Sequence, residues 1–123
     1  EEELNKLMNT HNIHICPSAQ EGFGHYINEA RSCRAVVCTT HGYPMLELVT
    51  QHECLIATRH ASKQAFGISY QITIEDLEQC IFRILKLQEI NECSSIGTQT
   101  RHAYLEQKTR FHKNVHEFIK ENM

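Results

Sequence analysis

Glu21-Gly22-Phe23-Gly24 and Glu29 are the residues whose types and spacing best suit chemistry, namely recognition of a phosphorylated, hydroxyl-rich ligand. Gly22 and Gly24 bracket Phe23, so the backbone there can approach a ligand without obstruction from a Cβ and can adopt φ > 0. With a helix starting at Gly24, the N–H groups of His25, Tyr26 and Ile27 have no intrahelical acceptor. Aided by the helix dipole, they form a site for an anion such as a diphosphate. Glu29 follows Gly24 by five residues, about 7.5 Å along a helix axis. The apolar face of that helix is Phe23, Tyr26, Ile27, Ala30 and Cys33, and Glu29 lies about 100° from its centre. A carboxylate on that shoulder can point into a cleft and accept hydrogen bonds from vicinal hydroxyls, as a ribose offers. Glu21, in the loop, can do the same for a sugar ring. A plainer account, a helix-start glycine with a solvated surface carboxylate, satisfies the same local physics.

The elements that must position these residues read as an alternation of strands and helices. Residues 1–10 form the end of a helix, with Leu4, Leu7 and Met8 on one side. Residues 12–16 form a short strand ended by Pro17-Ser18, and residues 24–33 the next helix. The apolar run 35–39 suits a central parallel strand. Gly42-Tyr43-Pro44 is a turn, followed by a short helical segment over 45–49 and a strand over 54–58. Residues 59–67 read as an irregular loop and 68–72 as a short extended piece. Thr73 is placed to cap a helix by accepting from the Asp76 amide, with Glu75 and Asp76 at the positive helix end. Leu77, Ile81, Ile84 and Leu85 are its expected buried stripe. A last helix over 98–120 carries Tyr104, Phe111, Val115 and Phe118 at helical spacing. The expected fold is α/β: a partial Rossmann-like parallel sheet flanked by helices, binding ligands beyond the carboxyl ends of its strands. Three good strands are fewer than a self-sufficient doubly wound domain uses, so the chain reads as the second half of one.

The totals bound this reading. A chain of 123 residues has room for a single domain with one modest core. Its 41% hydrophobic and 22% charged residues fit an ordinary globular protein. A net charge of −3 without a Lys/Arg block removes the usual drive for nucleic-acid binding. The apolar runs at 35–38 and 54–57 are strand-sized rather than membrane-spanning, so no transmembrane segment is expected. No secretory signal is visible; the chain starts at Glu1 without an initiator Met and reads as a processed or trimmed piece. Six irregularly spaced cysteines, several in apolar runs, read as free buried thiols of a reducing cytoplasm rather than disulfides.

Cys16-Pro17-Ser18-Ala19-Gln20-Glu21-Gly22-Phe23-Gly24, followed by Asn28-Glu29-Ala30, resembles the signature of the group 1 glycosyltransferases. These are retaining enzymes of the GT-B fold, with two Rossmann-like domains and the active site between them. Their pattern is P-S-x-x-E-G-F-G followed by E-A, with seven residues between two glutamates, the separation of Glu21 and Glu29 here. The likeness continues through Val36-Val37, the Gly42-to-Glu47 turn and the closing helices. It implies that Glu21 holds hydroxyls of a donor hexose, assisted by Gly22 and the Phe23 and Gly24 amides. Tyr26 and Ile27 amides would face the diphosphate, and Glu29 the ribose. The implied substrate is a nucleoside-diphosphate sugar of the UDP or GDP type, with no protein nucleophile, metal or other cofactor expected. The chain departs from the pattern at E-A-x-x-x-G-x-P-V-V, which here is Glu29-Ala30-Arg31-Ser32-Cys33-Arg34-Ala35-Val36-Val37. It is one residue shorter and lacks both the Gly and the Pro, which puts Arg34 in a tight spot. The family's basic diphosphate ligands, its base-binding strand and its N-terminal acceptor domain all precede the matched part. The isolated chain is therefore not expected to turn over.

Other groupings weigh less. His11, His14 and Cys16 lie close in sequence, and His112 and His116 have the i, i+4 spacing of helix metal ligands. No CxxC pair accompanies them, and solvated histidines are the better account. Cys16 or Cys38 as a Cys-His nucleophile conflicts with positions at or inside strands. Glu47 matches a family glutamate of the donor loop and equally suits a helix-start acid. His25 is placed to touch donor or acceptor, or simply water; Arg59 and Lys63 could add positive charge near phosphates, but solvation suits both better. The rival functional class is a non-catalytic, truncated Rossmann-like module that binds partners or forms a homo-oligomer through a sheet edge left open by missing strands.

Overall fold

The computed structural model describes all 123 residues. In chain order they form α1 (Glu2–Thr10), β1 (Ile13–Cys16), α2 (His25–Ser32), β2 (Val36–Thr40), 3-10 turns at Met45–Glu47 and His52–Cys54, β3 (Leu55–Ile56), β4 (His60–Gln64), β5 (Gly67–Gln71), α3 (Ile74–Glu89) and α4 (Cys93–Asn122). The first three strands make a parallel sheet in the order β1-β2-β3. Ile13 pairs with Val36 and Cys16 with Thr39, while Thr39 and Thr40 pair with Leu55 and Ile56. Every residue of β2 is buried, so both faces of the central strand are covered, which explains its unbroken run of small and β-branched side chains. The expected α/β class with a short parallel sheet flanked by helices is what forms. No helix is long and apolar enough to cross a membrane.

The core joins Cys16 of β1, Ile27 and Ala30 of α2, Ala35 with Val36, Val37 and Cys38 of β2, Met45 and Val49, Cys54, β3, and Cys80 and Ile84 of α3. Each fully buried isoleucine among them contributes about 1.5–3 kcal/mol by leaving water. The six cysteines are all free, with Cys16, Cys38, Cys54 and Cys80 buried. Cys38 of β2 and Cys80 of α3 meet inside the core, where their hydrogen bond and burial push the Cys38 thiol up.

Four expectations need correction. Residues 59–67 are not an irregular loop: β4 pairs antiparallel with β5, His60 opposite Gln71 and Gln64 opposite Gly67. All of β4 is exposed, so it has no apolar alternation to read, and backbone bonds alone define it. The strand expected over 54–58 is only Leu55–Ile56, because Cys54 closes a 3-10 turn and the chain leaves the sheet after Ile56 to build the hairpin. Of the expected stripe of α3, Ile84 is buried and Leu77 packs partly buried against the core, but the other buried positions are Asp76 and Cys80, with Leu85 exposed. The helix is rotated toward Asp76 because that carboxylate is fastened from two sides. Its Oδ2 accepts from the Thr73 amide and hydroxyl, and Arg59 donates to both of its oxygens at 3.0 Å. The predicted cap is present, with the Asp76 amide donating to the Thr73 hydroxyl at 3.1 Å.

The last correction concerns α4, which starts at Cys93 rather than residue 98 and includes Gly97. A Cβ on Gly97 would lie 2.1 Å from the Arg34 carbonyl oxygen, so glycine here permits a close approach of two backbones. Arg34 itself has φ 59°, in the left-handed region just past the end of α2, where glycine is favoured. Counting from Glu29, this is the place of the glycine in the pattern that the sequence resembles. Only Gly97 and Thr100 of α4 are buried; its distal part stands off the domain. Likewise α1 buries none of its residues.

Candidate functional site

The stretch from Cys16 to Glu29 leaves the carboxyl end of β1, crosses a loop and enters α2. The Thr39 hydroxyl donates to the Cys16 carbonyl at 2.9 Å, which ties this strand end to β2. Behind it, the Ser18 hydroxyl lies 2.8 Å from Glu21 Oε1 and 3.1 Å from the Gln20 carbonyl. Burial, reinforced by the charge of Glu21, pushes the Cys16 thiol up to about 11. Cys16 and Cys38 are thus buried and protonated at neutral pH, the state of structural thiols. Burial also raises the Tyr26 phenol, opposed by its hydrogen bond with Ser18.

Gly24 is the N-cap of α2 and adopts φ 73°, ψ 49°. A Cβ there would also sit 2.6 Å from Leu48 Cδ1, so conformation and packing both call for glycine. Gly22, in contrast, keeps a negative φ, and a Cβ on it would meet nothing within 4 Å. Of the two glycines, only Gly24 uses the left-handed region. The first helical bond runs from the Asn28 amide to the Gly24 carbonyl at 2.9 Å. The His25, Tyr26 and Ile27 amides precede it and have no intrahelical acceptor, and no side chain caps the helix.

A cavity of about 440 Å³ opens along the outer side of α2, a size suited to a small ligand. Gly22 and Phe23 of the loop and His25, Asn28, Glu29 and Ser32 of α2 line one wall. Pro44, Glu47 and Leu48 close one end. Tyr104, Gln107, Lys108 and Phe111 of α4 form the opposite wall. No family model, curated protein or solved structure matches this chain.

The fold brings His25, Glu29 and Glu47 together with Gly22 and Phe23 in one cavity and leaves Glu21 out of it. Glu21 lies on the Ser18 and Tyr26 side of the loop, with Oε1 engaged by Ser18. Ile27 is fully buried, backbone included, so the expected diphosphate contact of its amide is not open to a ligand, and neither Tyr26 nor Gly24 lines the cavity. His25 is exposed, its ring 4.9 Å from that of Phe23. Arg59 is taken by Asp76, while Lys63 lies on the exposed hairpin. His14 Nε2 contacts the Met8 and His11 carbonyls; no three His, Cys, Asp or Glu side chains converge as a metal-binding group.

Two features of this region escaped sequence reasoning. Tyr104, Gln107, Lys108 and Phe111 share one helix face by their spacing, but nothing local announces that this face meets α2. Arg31 is 1% exposed and has no carboxylate partner. Its Nη1 donates to Asn28 Oδ1 at 2.8 Å, its guanidinium lies 5.9 Å from the Tyr104 ring centroid, and its Nε is buried without an acceptor. Burial lowers its pKa, and arginine remains charged in such surroundings. The sequence signal was faint: Arg31 follows Ala30 on the edge of the apolar arc of α2.

Proposed function

We propose that this chain is the donor-binding part of a retaining glycosyltransferase of the GT-B type. In this reading it holds a nucleoside-diphosphate hexose, of the UDP or GDP type, for transfer to an acceptor bound by an N-terminal domain. The observation that carries the reading is the position of Glu29. It lines a ligand-sized cavity together with His25, on the helix whose uncapped start, shaped by Gly24, leaves the His25 and Tyr26 amides without an intrahelical acceptor. A diphosphate suits those amides, and vicinal ribose hydroxyls suit the Glu29 carboxylate. Glu21, which lies outside that cavity, would take hydroxyls of a hexose extending past Phe23 toward the loop; its Oε2 is the oxygen left by Ser18. Phe23 and Gly24 amides would assist, and His25 and Glu47 flank the same space. In the transfer, the bond from the anomeric carbon to the diphosphate breaks and the acceptor oxygen bonds on the same face. The acceptor proton passes to the departing diphosphate. Glu21 and Glu29 position the donor, so that their contribution is orientation of the reacting carbon.

Specific observations also favour the rival, a non-catalytic binding or oligomerisation module. β1 pairs with β2 on one side only and exposes Ile15, and α4 exposes Phe111, Val115 and Phe118. Titration of UDP, GDP and ADP into the chain, followed by amide NMR, tests the two. Shifts at Gly22 to Glu29 that weaken in Glu29→Ala support donor binding. No shift with any nucleotide, together with a dimer in light scattering, would replace it by the module.

A further inference from the structure

The donor reading leaves one problem of charge, since a diphosphate carries more charge than the amides at the start of α2 neutralise, and the chain supplies no cation from the loop or from α2's exposed side. The packing of α4 addresses this. Gly97 touches the Arg34 carbonyl, Arg101 Nη1 donates to the Ser32 carbonyl at 3.1 Å, and Tyr104 lies by Arg31. As residue numbers rise along α4 they fall along α2, so the two helices run antiparallel. Lys108, one turn beyond Tyr104, therefore lies toward the first turn of α2, where the unpaired amides are.

Lys108 lines the cavity and has no acidic partner within 4 Å, the ion pairs being Arg59–Asp76, His102–Glu106 and Lys113–Glu117. Behind the cavity wall, Arg31 is buried without a carboxylate and reaches the wall through Asn28. A buried guanidinium without a counter-charge is costly unless something anionic lies near it. Lys108 and the start of α2 thus bring positive charge to a cavity that the carboxylates of Glu29 and Glu47 also line, with Arg31 behind its Asn28 wall.

Resting on the donor-site reading, we infer that α4 completes the site: Lys108 binds the diphosphate of a nucleoside diphosphate, with Arg31 as a fixed positive charge behind it. Lys108 is a direct ligand of phosphate oxygens. Arg31 is a positioning residue that holds Asn28 in the cavity wall. The anion chemistry would also fit free pyrophosphate, and the test separates the two sources.

The experiment is calorimetric titration of the chain with UDP, GDP and ADP, with the matching nucleosides, and with inorganic pyrophosphate. Wild type, Lys108→Ala, Lys108→Arg and Glu29→Ala are compared. Lys108 is solvent-exposed, so its variants should keep the wild-type NMR spectrum. The expected result is a loss of about tenfold in diphosphate affinity in Lys108→Ala, typical of one charge-assisted contact. Nucleoside affinity stays unchanged, and Lys108→Arg restores most of the loss. Nucleotide binding that depends on Glu29 but is the same within twofold in Lys108→Ala overturns the role of Lys108 and leaves the donor reading standing. Pyrophosphate binding that depends on Lys108, with no nucleotide bound more tightly, keeps the anion site and overturns its assignment to a nucleoside diphosphate. Absence of binding by every ligand to the wild-type chain overturns both.

Discussion

Replacing Gly97 by alanine should destabilise the protein, against the usual effect of that substitution inside a helix. On propensity alone, Gly→Ala in a helix interior stabilises by about 1 kcal/mol. Here the new Cβ would stand 2.1 Å from the Arg34 carbonyl oxygen and 3.0 Å from its carbonyl carbon. Both are backbone atoms, so no rotamer change relieves the clash and α4 must move by about 1 Å to reach ordinary contact. Overpacking of this kind costs about 1–3 kcal/mol, occasionally more. The shift would also loosen the Arg101 contact to the Ser32 carbonyl, worth about 1 kcal/mol. With the propensity gain subtracted, the net loss is about 1–3 kcal/mol. At a urea m-value of about 1–3 kcal/mol/M, the midpoint falls by on the order of 1 M. Urea unfolding followed by circular dichroism measures it, with Thr98→Ala, an exposed neighbour, as the control expected to stay within about 0.5 kcal/mol. An unchanged or raised midpoint in Gly97→Ala would refute the close backbone approach on which the placement of α4 depends.

Three further outcomes follow from the same structure. Arg34→Gly should raise stability by about 1 kcal/mol in the same urea assay, because Arg34 holds φ 59° at a cost that glycine avoids; a loss of stability would mean that the Arg34 side chain contributes more than its backbone costs. The Asp76 carboxyl is held below its ordinary value, first by the Arg59 hydrogen bond and then by Thr73. Its contribution is therefore complete above the unfolded value of about 3.9 and is lost as pH falls through the lower folded value. Thermal melts across acidic pH should show a flatter decline in Asp76→Asn than in wild type, and parallel curves would count against the pairing. Finally, iodoacetamide at pH 8, read by mass spectrometry, should modify Cys33 and Cys93 in the native protein before Cys16 and Cys54. Burial drives the latter two thiols up to about 11 and about 12, and equal labelling of all four would contradict the packed core.

How much was legible depended on whether the signal was local. The 35–39 run announced β2 because a strand buried on both faces has no polar position to interrupt it. Gly24 and the Thr73 cap were readable because each satisfies a backbone demand within four residues. The hairpin was not, since β4 exposes every side chain and strand periodicity exists only where one face is buried. The rotation of α3 was hidden for a different reason. Asp76 reads as a helix-start acid, and only Arg59, seventeen positions away, turns it inward. In the candidate site, Glu29 and His25 could be placed from the wheel of α2. The wall formed by α4 required a tertiary contact between residues about seventy positions apart, such as Arg101 with Ser32.

The hold of α4 on the domain has a mechanical side. Its two buried residues, Gly97 and Thr100, lie within its first two turns, and the rest of a 30-residue helix extends from there. Such a helix is a stiff lever with its fulcrum at one end. Lys108 stands about 16 Å from Gly97 along the axis and Phe118 about 32 Å, at 1.5 Å per residue. A tilt of about 10° at the fulcrum would carry Lys108 through about 3 Å and Phe118 through about 5 Å over those lengths. On the proposed role of Lys108, the first displacement would separate direct contact with a phosphate oxygen from contact through water. Whatever grips the exposed Phe111-to-Phe118 face would thus hold the long arm, and the aperture of the cavity beside α2 would answer to it.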